Sequence, residues 1–178
     1  MSCTKTKVRV HFLIGVAIFL VAANPPAVAQ DDLVFDISLT KSCLREASTA
    51  GEKRECIGES ANACMRANSL GGSTYGMGGC LNFEAEWWDG QLNIVYKKLR
   101  RQEKADDEAN AEFSDNLPKQ AEALRDMQRA WIAYRDATCE YEYSQFGGGT
   151  GGGPAGIACT LHLTAAQAIY LQGSLQEF

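Results

Sequence analysis

The sequence has 178 residues, of which 46% are hydrophobic and 22% charged, enough for one globular domain and incompatible with disorder as a general description. Seventeen Lys and Arg stand against twenty-two Asp and Glu, a net charge of −5. That acidic balance excludes a nucleic-acid footprint, which requires a basic surface.

At the N-terminus Lys5, Lys7 and Arg9 precede an apolar run from Phe12 to Ala23, then Pro25-Pro26 and the small triplet Ala27-Val28-Ala29. This order reads as a secretory signal over residues 1–29 with an A-x-A cleavage site. The apolar run is about twelve residues, short of the roughly 20 that cross a hydrocarbon core, so no membrane span is expected after cleavage. Removal after Ala29 leaves 149 residues with 14 basic and 22 acidic side chains, a net charge of −8, and six of the seven cysteines. An even cysteine set in an exported chain reads as disulfides, which places the protein in the periplasm or outside the cell. No cysteine follows the apolar run at the cleavage point, so no lipid anchor is indicated.

Residues 30–39 read as an extended or loose leader, and residues 40–178 as one helical domain. From Ser38 to Ala67 the sequence suggests two short helices broken near Gly51. A glycine-rich loop from Gly71 to Gly79 ends at Cys80. Leu81, Ala85, Trp88, Leu92, Val95, Tyr96 and Leu99 then recur at three- and four-residue steps, the stripe of a long helix. Lys97, Lys98, Arg100, Arg101 and Lys104 are expected at its C-terminal end, where the macrodipole favours cations. An acidic bridge, Ala105 to Asn116, leads to Pro118, read as part of a first helical turn. Leu117, Ala121, Leu124, Met127, Trp131, Tyr134 and Thr138 lay down a second stripe, antiparallel to the first. Leu161, Thr164, Ala165, Ala168, Leu171 and Leu175 mark a further helix. The fold class is therefore all-α, a small bundle of two long antiparallel helices and shorter ones stapled by disulfides.

Six cysteines allow fifteen pairings; locality favours Cys43 with Cys56, Cys64 with Cys80, and Cys139 with Cys159. Zinc fits badly, because there is no C-x2-C pair and His162 is the sole histidine after cleavage, so no metal or other cofactor is expected. The glycine run Gly147 to Gly156 lacks the Lys-Ser/Thr ending of a phosphate loop and reads as a flexible connector spanned by the last bridge. Glu84 and Glu86 are two apart, so they point to different sides of a helix and cannot flank one glycosidic bond. No catalytic residue is assigned. Trp88 and Trp131 read as core, and Trp87, one position off the stripe, as the tryptophan whose exposure matters.

The string Leu124-x3-Gln128-x2-Trp131-x3-Arg135-Asp136-x2-Cys139, followed by a glycine loop, Cys159 and Leu163-Thr164, resembles the signature of the lysozyme inhibitor LprI family. Leu92-Asn93-x2-Tyr96-x2-Leu99 is similar to that family's first long helix, and the likeness spans Leu92 to Leu171. It implies a small, secreted, disulfide-stapled helical domain. Trp131, Arg135 and Asp136 carry a structural role in this reading, with Arg135 and Asp136 at a helix end. Three departures stand out. Gln167 replaces an arginine common in the family, the Cys64 to Cys80 segment looks like an addition, and the lipid anchor of the family's namesake is not indicated.

The function expected is binding rather than catalysis: occlusion of a basic lysozyme-type muramidase, or alternatively attachment to another envelope protein. A net charge of −8 favours encounter with a basic partner. Tyr141, Glu142, Tyr143 and Phe146, with Gly148 and Thr150 of the loop, supply amphipathic rings and carboxylate suited to an interface.

Overall fold

Residues 33–114 and 116–175 are described by a computed structural model. Residues 1–29, expected as a secretory signal, and the first residues of the expected leader, 30–32, lie outside the described residues. Six helices follow in order: α1 (Ser38–Glu46), α2 (Ala50–Glu55), α3 (Glu59–Ala67), α4 (Thr74–Ala111), α5 (Gln120–Ser144) and α6 (Gly152–Ser174), with no strand among the described residues. No described helix is long and apolar enough to cross a membrane.

The helix at the centre is α6. Between Gly152 and Ser174 it has no Asp, Glu, Lys or Arg, and a helix without a charged face is buried on several sides. It packs most extensively along α4, then against α5, and it also meets α2. Leu161, Ala165, Ala168, Ile169 and Leu171 of α6 join Ala85, Trp88, Leu92 and Leu99 of α4 and Leu124 of α5 in one core. The two longest helices, α4 and α5, are the antiparallel pair expected, and α6 packs along both to complete the bundle. Both α4 and α6 run antiparallel to α5, and so parallel to each other. Trp88 is buried as expected, while Trp87 and Trp131 are partly buried against the same core.

The short helices differ from the expected pair. Gly51 lies inside α2, and the breaks fall at 47–49 and 56–58. Thr49 caps α2 reciprocally with Glu52: its hydroxyl accepts from the Glu52 N–H at 3.2 Å, and the Glu52 carboxylate accepts the N–H groups of Thr49 and Ser48 at 2.8 and 2.7 Å. Those backbone donors hold the Glu52 carboxyl below its ordinary range. Thr40 and Ser60, both fully buried, tie α1 to α3 by exchanging backbone N–H to hydroxyl bonds of 3.1 Å.

The leader from Leu33 to Asp36 forms no helix or strand and is pinned. The Val34 N–H donates to Asn68 Oδ1 at 2.9 Å, Asn68 Nδ2 donates to the Val34 carbonyl at 3.0 Å, and the Phe35 ring meets Phe83 at 5.4 Å.

Helix α4 exceeds its expected length at both ends. The segment from Thr74 to Gly79, expected as loop, is helical because Ser73 caps it, its Oγ accepting the Gly76 N–H at 3.0 Å. The acidic bridge is helical to Ala111, since Ala105, Ala109 and Ala111 are strong helix formers among charged neighbours. The basic cluster from Lys97 to Lys104 consequently sits inside the helix, and the last turn has no basic residue, so the dipole argument for it fails.

Asp107 joins α4 to α5 by accepting the N–H groups of Gln120 and Ala121 at 2.7 and 3.0 Å; Pro118 stands just before the helix rather than in its first turn. Replacing Asp107 with Ala orphans both donors and is expected to lower stability by about 1 kcal/mol in urea unfolding, the usual effect of losing a cap.

Three disulfides close the fold: Cys43–Cys56, Cys64–Cys80 and Cys139–Cys159, with Cα separations of 5.6, 5.7 and 5.3 Å. They are the three local pairs.

Candidate partner-binding site

The connection between α5 and α6 brings the proposed interface residues to one end of the bundle. Tyr141, Glu142 and Tyr143 lie in the last turns of α5, which continues to Ser144. Phe146, Gly148 and Thr150 follow in the turn, and all six are exposed. The expected flexible connector is instead a hydrogen-bonded reversal. Phe146 N–H donates to the Tyr143 carbonyl, Gly149 N–H to that of Phe146 and Gly152 N–H to that of Gly149, at 3.3, 2.8 and 3.2 Å, after which the run is already α6.

Glycine is required there by close approach. A Cβ on Gly151 would fall 2.8 Å from the Phe146 ring, and one on Gly152 would fall 3.1 Å from the ring and carbonyl of Tyr143. Tyr143 and Phe146 thus brace the turn as well as facing solvent. Tyr141, 62% exposed, is the freest of the rings.

The Cys139–Cys159 bridge runs between α5 and α6, and a groove lies to each side of it. One, of about 320 Å³, is lined by Asp136, Glu140 and Tyr143 with Gly153, Gly156, Ile157 and Thr160 of α6. The other, of about 420 Å³, is lined by Thr138 and Glu142 with Ala155, Ala158, His162 and Leu163. Each presents carboxylate beside apolar surface. From Asp136 to Leu175 the chain has three acidic residues, Asp136, Glu140 and Glu142, and no Lys or Arg.

Tyr134 was expected on the inner stripe but is 60% exposed. After Trp131 the inner face passes by steps of four to Arg135 and Cys139, which turns Tyr134 outward. It stands two turns before Tyr141 on the same helix face and extends the exposed aromatic surface. The seven-residue spacing of these two tyrosines was the available signal.

Arg135 and Asp136 are not at the helix end, which comes two turns later. The Arg135 guanidinium lies over the Trp131 ring, 5.1 Å from its centre, and its Nη2 is 2.7 Å from Asp136 Oδ1. Asp136 is exposed, and an exposed ion pair is worth about 0–1 kcal/mol, so stacking on Trp131 is the main anchor for Arg135. Gln167 resolves the departure at the family's arginine position. It is buried, and its Nε2 donates to Gln128 Oε1 at 3.0 Å, an amide link from α6 to a residue of the α5 motif.

Glu84 and Glu86 separate as expected. Glu86 is exposed and accepts from Asn82 Nδ2 at 2.8 Å. Glu84 is fully buried, and its two oxygens accept the N–H groups of Gly58 and Ala61, each at 2.8 Å, while Trp88 Nε1 lies 3.2 Å away. It serves as the cap of α3, a role the paired-carboxylate reading missed. His162 is exposed on α6, and no group of three metal-ligating side chains occurs among the described residues.

Comparison with known proteins agrees with this architecture. A family model described as "Lysozyme inhibitor LprI" matches residues 64–171, which is 108 of the 178 residues. The matched range begins at Cys64 and so takes in the Cys64–Cys80 segment. An uncharacterized 17.7 kDa protein in the puhA 5' region of Rhodobacter capsulatus is 28% identical over 136 residues, covering 76% of this chain and 83% of that protein. No solved structure matches. With the family model extending over more than half of the sequence and including the bridged α5–α6 hairpin, the chain belongs to the lysozyme inhibitor LprI family.

Proposed function

We propose that this protein acts in the periplasm or outside the cell, where it inhibits a basic lysozyme-type muramidase by occluding the enzyme's cleft with the α5–α6 end. Three disulfides support an oxidising compartment. Membership of a family described as lysozyme inhibitors supports the target class.

The observation that carries the reading is the placement of Glu140 and Glu142 in the last turns of α5, with no basic residue in its last turn. The C-terminus of a helix is the negative pole of its dipole, so carboxylates there work against stability by roughly 0.3 kcal/mol each. Anionic side chains held at an unfavourable helix end, beside exposed tyrosines, match the requirements of binding a cationic surface.

Turbidity loss of a peptidoglycan suspension tests it. The purified protein should arrest a basic lysozyme near equimolar ratio, with weaker inhibition at high salt; undiminished lysis at large excess rejects the proposal. The double variant Glu140→Gln/Glu142→Gln should melt one or two degrees higher than the parent while inhibiting several-fold more weakly, mainly through slower association. A parallel fall of melting temperature and inhibition would instead mark these carboxylates as structural.

A further inference from the structure

A different recess opens near the other end of the bundle, between the C-terminal half of α4, the first turns of α5 and the end of α6. It is open to solvent and measures about 320 Å³, at the small end of ligand sites of ~300–1,000 Å³. Ala123, Leu124 and Met127 supply its accessible apolar wall over the buried Leu99 and Leu171, and Tyr170 stands exposed at the rim. Glu103 is the one charged residue in that lining.

Glu103 is only 9% exposed, and its Oε2 is shielded from solvent and accepts no hydrogen bond among the described residues. Burial, and then the charges of Asp106 and Asp107, push its carboxyl above the usual range. Nearby groups are engaged elsewhere: Asp107 caps α5, and Lys104 lies 3.6 Å from Glu108. A carboxylate oxygen buried without a donor is an unstable arrangement, and the side chain that carries it lines an open apolar recess. A ligand that matches both features has an aliphatic stem ending in a cation.

We propose that this recess binds a primary ammonium group on a short aliphatic stem, the stem lying against Ala123, Leu124 and Met127 and the ammonium donating to the Glu103 carboxylate. A free alkylamine and a lysine side chain of another protein share this chemistry. The proposal stands apart from muramidase inhibition, because the recess shares no residue with the α5–α6 end.

Titration of the full chain with n-butylammonium, followed by the ¹³C-methyl resonance of Met127, tests it. Saturable shifts are expected for the parent, at least tenfold weaker for n-butanol and for Glu103→Gln. That substitution keeps the side-chain volume and removes an unpaired charge, so the variant should melt no lower than the parent. Equal responses to butylammonium and butanol, or equal binding by parent and variant, would overturn the proposal. N-acetyl-lysine methylamide identifies the source: affinity within tenfold of butylammonium supports a protein lysine, and affinity a hundredfold weaker supports a free alkylamine.

Discussion

Replacing Glu84 with Ala should destabilise the protein by on the order of 4 kcal/mol, placing it among the most damaging single substitutions. The side chain is fully buried, and it accepts from Gly58, Ala61 and Trp88. Gly58 stands at φ +93° as the N-cap of α3, a conformation in which its own side chain offers no cap. Glu84 therefore supplies from α4 the acceptors that α3 lacks, and its charge lies at the positive pole of that helix. Truncation leaves three donors and a cavity between α3 and α4. At roughly 2–4 °C per kcal/mol for a chain of this size, the melting temperature should fall by about 10 °C. Glu84→Gln keeps one acceptor oxygen but turns an amide donor toward N–H groups, so it should lie between parent and Ala variant. Hydrogen exchange locates the damage: the amides of Gly58 and Ala61 should lose protection first. A shift below 2 °C for Glu84→Ala would show that the cap contributes little.

Removal of the last bridge, as Cys139→Ser/Cys159→Ser, should lower unfolding stability by about 3 kcal/mol, the value that chain entropy gives for a closed loop of about 20 residues. The sequence separation is 20, and the loop includes the α5–α6 reversal. Urea unfolding of the double variant measures the effect. In the inhibition assay at a temperature where the variant remains folded, activity should fall more than for removal of Cys43–Cys56. The last bridge lies between the two grooves of the candidate site, whereas the first lies between α1 and the end of α2. Equal inhibition by the two bridge variants would detach the staple from the function.

Much of this architecture is legible in residue order, and the failures have identifiable causes. The stripe from Leu81 to Leu99 and the local cysteine pairs carry period and spacing, which depend on the chain alone. The Gly71 to Gly79 stretch reads as a loop because glycine is a poor helix former; from Thr74 on, Ser73 and the packing of Leu33 and Ile157 against Gly79 and Gly78 outweigh that preference. Tyr134 illustrates drift: three- and four-residue steps both satisfy a stripe, and only the neighbouring helix decides that Arg135 takes the inner position. Glu84 was invisible because its partners lie 23 and 26 residues earlier and are backbone N–H groups. For the candidate site, the exposure of Tyr141 to Thr150 follows from composition, but the two grooves need α6 beside α5. Glu103 gave no signal, since its surroundings come from three separate helices.

The order of the bridges also bears on how the protein is made. The six cysteines of the described domain pair two by two in chain order: 43 with 56, 64 with 80, 139 with 159. If the chain is exported N-terminus first and the expected signal with Cys3 takes no part, an oxidase that couples each newly exposed thiol to the one before it produces all three native pairs. Maturation can then proceed with an oxidant alone, without an isomerase to undo crossed pairings.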